Sequence, residues 1–177
     1  MAEALKIVGL GVVAAIAYGI AHDNVTARVC VEYFTIGHAP IFRTESPTLL
    51  ALGWGVVATW WVGLGLGILL ALTCRVGGKP RLTAKNLLKP LGLLLVSMAG
   101  ISLFAGLAGY YSASQGWFEL GDPLADRVPP DRQVPFLTDL AAHLAAYASA
   151  FLGGIALAVW ATIHRARLAR AAGLHQP

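Results

Sequence analysis

Apolar and polar positions along the chain separate into long blocks rather than a fine alternation. Residues 7–21, 49–73, 91–111 and 144–163 contain no Asp, Glu, Lys, Arg or His. Crossing ~30 Å of hydrocarbon takes about 20 helical residues, and about 17 at the least. Each block reaches that length once its flanks are added. The pattern predicts an all-α membrane protein: a four-transmembrane-helix bundle in one membrane domain, residues 1–177, with helices over about 5–21, 48–74, 88–111 and 138–164. Between them lie an outer loop at 22–47, a basic inner loop at 75–87 and a second outer loop at 112–137. The first block also has the shape of a signal peptide, ending in the small-residue pattern Gly19-Ile20-Ala21. Its weak basic start, Lys6 offset by Glu3, and its length favour a retained helix.

The two outer loops have different patterns. From Val25 to Tyr33 apolar residues alternate with Thr26, Arg28, Cys30 and Glu32, the period of a half-buried strand. Gly37 and Pro40 then supply a turn, so a short β-hairpin is predicted. The second outer loop carries Pro123, Pro129, Pro130 and Pro135 with four acids, and is expected to be irregular. Together the loops would form a small extracytoplasmic cap.

Composition agrees with the blocks. The chain is 57% apolar and 12% charged, with a mean hydropathy of +0.68, where a soluble domain has about 25% charged residues. Charge then orients the bundle. Arg75, Lys79, Arg81, Lys85 and Lys89 fill the 75–87 connection and its edge without an acid, and Arg165, Arg167 and Arg170 follow the last helix. Basic loops stay on the cytoplasmic side, so both termini are expected inside and the 22–47 loop outside. The five inner-loop cations also offer a surface to anionic lipid. No nucleic-acid partner is expected.

Small residues recur four apart on several helices: Gly11, Ala15 and Gly19; Gly63 and Gly67; Ser102 and Gly106. Such spacing lets helix backbones approach closely in lipid. It serves either an intramolecular bundle or a homo-oligomer or partner-helix face. Ser46 and Pro47 suit the start of the second helix as cap and first helical residue. Trp60 and Trp61 fall near mid-bilayer, where an indole N–H seeks a partner, so one of them is expected to face a neighbouring helix.

Candidate chemistry gathers on the outer side. Asp139, His143 and Tyr147 are four apart and share a helix face, within reach of Glu32 and His38 of the first outer loop. Imidazole and carboxylate are ordinary ligands of a divalent metal such as zinc. The predicted metal set is therefore Glu32, His38, Asp139 and His143, with Cys30 or His22 as additions. With an open position such a site could be hydrolytic. Cys30 and Cys74 fall on opposite sides of the bilayer and are not expected to pair. The empty helix centres argue against an ion-coupled transporter, which stands third after ligand binding and an accessory, partner-binding role.

The segments "ARVCVEYFTIGH" and "ESPTLLALGWG" resemble a stretch found in uncharacterised bacterial membrane proteins with several spans. The resemblance covers about a quarter of the chain. It implies a bacterial inner-membrane setting and no activity.

Overall fold

A computed structural model describes residues 1–173, all-helical with no strand among the described residues. The long helices are α1 (Ala2–Val29), α5 (Ala84–Ser114) and α7 (Gln133–Ala171). The remaining membrane-length segment is divided into α3 (Pro47–Val57) and α4 (Trp60–Arg75). Short helices α2 (Val31–Thr35) and α6 (Leu124–Arg127), with a 3-10 turn at Pro130–Arg132, sit in the two polar connections. Four helical segments are long and apolar enough to cross a membrane. Their outward faces carry apolar side chains such as Phe104, 76% exposed, and Val96, 73% exposed, as lipid-facing surfaces require.

The predicted β-hairpin is absent, and its first half is the last part of α1. Asp23, Thr26, Ala27 and Cys30 are buried, the i, i+3, i+4, i+7 rhythm of a helix. A strand would set Ala27 on the face opposite Thr26 and Cys30, whereas the helix buries all three. An already nucleated helix adds a hydrogen bond with every residue it gains, so continuation wins. Polar groups assist locally: Asn24 Nδ2 donates to the Ile20 carbonyl at 2.8 Å and Arg28 donates to the Asn24 carbonyl at 2.6 Å. The 22–47 and 112–137 connections are helical turns packed onto the bundle end rather than a separate lid. Val128 and Leu120 from one, and Tyr33 and Phe34 from the other, join Leu50 and Phe136 in one apolar cluster.

The helices all exceed their predicted bounds because charged residues are admitted at helix ends. α5 begins at Ala84 because Thr83 and Asn86 form a reciprocal cap, with Thr83 N–H donating to Asn86 Oδ1 at 2.9 Å. Ser46 does occupy the N-cap of α3 and Pro47 its first position, but the Ser46 hydroxyl makes no capping bond. At the break after α3, the Thr59 hydroxyl donates back to the Gly55 carbonyl, the kind of local bond that bends a helix. Trp60 and Trp61, 46% and 58% exposed, face outward, contrary to the expectation that one would turn inward.

The glycine faces meet inside the chain. α1 packs along α3 and α4, α5 along α7, and the two pairs join chiefly where α4 meets α7. A Cβ on Gly11 would stand 2.7 Å from the Gly63 oxygen and 2.9 Å from the Gly67 Cα, and one on Gly19 would stand 2.7 Å from the Gly55 oxygen. On the other pair, a Cβ on Gly106 would touch Ala142, and the buried Ser102 hydroxyl donates to the Ala142 carbonyl at 2.9 Å. Of the cations in the connection between α4 and α5, Arg75 is engaged with the Leu82 carbonyl at 3.1 Å, whereas Arg81, Lys85 and Lys89 are exposed.

The apolar interior is divided lengthwise. The cluster around Leu50 and Phe136 closes one end. Ile7, Leu70, Cys74, Leu87 and Leu157 belong to a second cluster at the other end. Between them the two helix pairs diverge around a cavity in which about 90 Å³ admits the centre of a water molecule.

Candidate metal centre

α1 carries His22 and Asp23 into the interior on the stretch assigned to a loop from sequence, and α7 brings His143 opposite them. One ligand atom from each of these three side chains lies within 4.8 Å of the other two. Asp23 is 5% exposed and His143 6%. The His22 and His143 rings meet edge to face with centroids 4.5 Å apart, and Tyr33 lies over His143 at 4.4 Å.

Hydrogen-bond partners fix which nitrogen of each ring carries its proton. His143 Nδ1 lies 2.8 Å from the Asp139 carbonyl oxygen. A carbonyl only accepts, so Nδ1–H donates there. The Nε2 of a neutral His143 is then a bare lone pair, 3.3 Å from Asp23 Oδ1, itself an acceptor. Two acceptors face each other, and something positive belongs between them. His22 repeats the arrangement. Its Nδ1 lies 3.4 Å from Ser102 Oγ, whose own proton goes to Ala142, so Nδ1–H is again the donor. His22 Nε2 is left buried without a partner.

Two imidazole lone pairs and a carboxylate are a ligand set for a first-row divalent metal. Metal-bound histidines usually donate their second nitrogen to a carbonyl or similar acceptor, which orients the ring; both rings here do so. Tetrahedral bonds of about 2.0–2.1 Å put neighbouring ligand atoms about 3.4 Å apart. The Asp23–His143 separation of 3.3 Å already matches this spacing, and His22, within 4.8 Å of both, has to close by up to about 1.4 Å. A four-coordinate ion held by these three residues would keep one position for a further ligand, and the three side chains line the cavity.

The set predicted from sequence is rearranged. His143 keeps its place, His22 moves from possible addition to member, and Asp23 enters unforeseen. Glu32 is engaged elsewhere: its Oε2 accepts from Arg132 Nε at 3.0 Å and from the Cys30 thiol at 3.3 Å, tying α2 to the turn before α7. Partial burial works to raise the Glu32 pKa, but hydrogen bonds from its own backbone, Arg132 and Cys30 outweigh that and hold the carboxyl below the usual range. His38 donates Nδ1–H to the Tyr33 carbonyl at 2.8 Å and packs against Trp54. It lines the same cavity, with Tyr33 between it and His143 at 5.0 and 4.4 Å. Burial is the main cause of its lowered pKa. Asp139 is 1% exposed, and neither carboxylate oxygen has a hydrogen-bond partner; it serves His143 through its backbone oxygen rather than joining the ligand group.

Cys30 is fully buried and unpaired, and burial pushes its thiol up to about 12. The thiolate is both nucleophile and metal ligand, and Cys30 stands apart from the His22, Asp23 and His143 group. At pH 8 about one thiol in ten thousand is ionised, against roughly a quarter for a free cysteine. Alkylation by iodoacetamide in detergent at pH 8 should therefore be at least about 100-fold slower at Cys30 than in the denatured chain. Comparable rates by mass spectrometry would contradict the burial described here.

Comparison of the chain with family profiles, with curated proteins and with solved structures returned no match. The functional reading therefore rests on the geometry.

Proposed function

We propose that this chain is a multi-pass membrane protein that binds a divalent cation, zinc first among the ordinary choices, through His22, Asp23 and His143. The observation that carries the proposal is the facing of bare acceptors: His143 Nε2 against Asp23 Oδ1 at 3.3 Å, with His22 Nε2 buried and unpartnered beside them. Buried charges are paired or bind metals. A single proton on His143 would satisfy Asp23 but would leave His22 bare, whereas one cation satisfies all three.

The topology follows from the basic residues. Both termini and the 75–87 loop belong in the cytoplasm, and exposed Arg81, Lys85 and Lys89 meet anionic lipid there. The site then lies toward the outer face of a bacterial inner membrane, below the end formed by α2 and α6. Three ligands and one open position are also the arrangement of hydrolytic zinc sites, where the metal activates a bound water. Hydrolysis is the chemistry such a site supports. An accessory role through small-residue faces is the weaker reading, because Gly11, Gly63 and Gly67 already face one another within the chain.

Elemental analysis of protein purified in mild detergent without chelator tests the proposal. About one metal per chain is expected, falling below about 0.2 in His143→Ala and in Asp23→Ala, with Glu32→Ala unchanged. Wild-type protein carrying less than about 0.2 metal, or loss of metal in Glu32→Ala alone, would overturn it.

A further inference from the structure

The metal centre occupies one end of a cavity whose remaining wall is almost wholly apolar. Leu66 and Leu70 of α4, Leu91, Leu94 and Met98 of α5, and Leu157 of α7 line it. Gly11 and Gly63, in backbone contact with each other, close the seam between α1 and α4 along that wall. Apart from Thr59, whose hydroxyl turns back to the Gly55 carbonyl, the polar side chains gather at the end formed by Tyr18, His22, Asp23, His38, His143 and Tyr147. The Tyr18 hydroxyl there is buried and makes no hydrogen bond.

The free space is long and narrow rather than bulky: about 90 Å³ of it admits the centre of a water molecule. Such a void in a bundle core forfeits the dispersion contacts of every side chain lining it. Apolar cavities stay dry and take apolar guests. Along α1 the lining runs from Gly11 to His22, about 16 Å of axis at 1.5 Å per residue. An extended chain advances roughly 1.2 Å per bond, so about 13 bonds fit end to end.

The polar end sets the head group. A divalent cation held by two neutral imidazoles and one carboxylate keeps one net positive charge. In a dry, low-dielectric site that charge calls for an anionic fourth ligand, and hard oxygen donors suit zinc and its neighbours. The unpartnered Tyr18 hydroxyl offers such an oxygen a hydrogen bond.

We infer that the cavity binds a single-chain lipid with an anionic oxygen head group, its tail along Leu66, Leu91 and Leu94 and its head on the open coordination position. This rests on the proposed metal centre. Fatty carboxylates and isoprenoid phosphates share that chemistry, and competition separates them.

A palmitate analogue bearing a terminal diazirine, photolysed with the purified metal-loaded protein, should label peptides from the cavity-facing parts of α4, α5 and α7. The label should saturate, and unlabelled palmitate or farnesyl phosphate should displace it; whichever competes better identifies the source. Ala150→Phe and, from the opposite wall, Ala14→Leu place bulk in the cavity away from the ligands. Either should cut labelling at least about fivefold, a loss of about 1 kcal/mol of binding, while metal content holds. In Asp23→Ala, metal and label should fall together. If metal stays at about one per chain but the label spreads over exposed faces, indifferent to competitor and to Ala150→Phe, the lipid inference fails and the metal reading stands. If the protein holds no metal, both fall.

Discussion

Replacing Arg165 by methionine should lower the stability of the folded bundle by about 3–5 kcal/mol, the largest single-residue loss expected outside the glycine faces. Arg165 sits near the end of α7 and is 4% exposed. Its guanidinium donates Nε–H to the Pro80 carbonyl at 2.8 Å, one terminal nitrogen to Lys79 at 2.9 Å, and the other to Thr73. Thr73 lies in the last turn of α4, where the final four carbonyls have no helical partner. One fork of donors thus caps α4, pins the turn from Gly77 to Pro80 and fastens both to α7. Methionine fills much the same volume but leaves three acceptors without their donor. Hydrogen bonds to a charged group are each worth about 1.5–3 kcal/mol and do not add fully. Lysine keeps the charge without the planar fork, and its variant should fall between. Thermal unfolding in detergent reads this directly. A methionine variant melting within about 1 °C of wild type would show that the three bonds contribute nothing.

The second large effect is a contrast of sign between two glycines of one helix. In α4, a Cβ on Gly63 would stand 2.6 Å from the Gly11 oxygen, 2.7 Å from the Ala15 Cβ and 2.8 Å from the Val12 Cα, whereas one on Gly65 meets nothing within 4 Å. Two of the three obstacles at Gly63 are backbone atoms, so α1 and α4 have to move apart along their whole contact. Overpacking of that kind costs about 1–3 kcal/mol or more. Gly65→Ala removes only the backbone freedom of a helical glycine and should gain up to about 1 kcal/mol. Both substitutions add the same methyl group to the same helix, so propensity cancels in their difference. Gly63→Ala should melt well below wild type and Gly65→Ala at or slightly above it. Equal melting temperatures would mean that α1 and α4 do not approach as closely as described.

The helices were legible because lipid imposes a stringent rule: about 20 residues free of charge, repeated four times. The glycine faces were legible as spacing, although which helix each one meets was not. What stayed hidden lies where that rule stops. Asp23, Asn24 and Arg28 look like loop residues, yet α1 runs to Val29 because Asn24 and Arg28 return their polar groups to carbonyls one turn back. Reading 22–47 as a loop removed Asp23 from consideration, since its depth follows only from continuing the helix. The alternation of Thr26, Arg28, Cys30 and Glu32 with apolar residues was read as a strand, whereas the structure buries Asp23, Thr26, Ala27 and Cys30 on one helix face. His143 was found through its spacing from Asp139. The role of Asp139 differed, because a side chain and a backbone oxygen at i−4 lie in the same direction. Arg165 was counted toward topology, since nothing in its spacing reveals three carbonyls converging from another part of the chain.

The claim on which the rest depends is that one cation joins α1 to α7. X-ray absorption at the zinc edge, on protein loaded with one equivalent of zinc, examines the bonds themselves. Nitrogen and oxygen ligands are expected at about 2.0–2.1 Å, two of them imidazole, with one imidazole lost in His22→Ala. A sulfur shell at about 2.3 Å would place the metal at a cysteine, and unchanged imidazole scattering in His22→Ala would place it at other histidines. Either result would contradict the site.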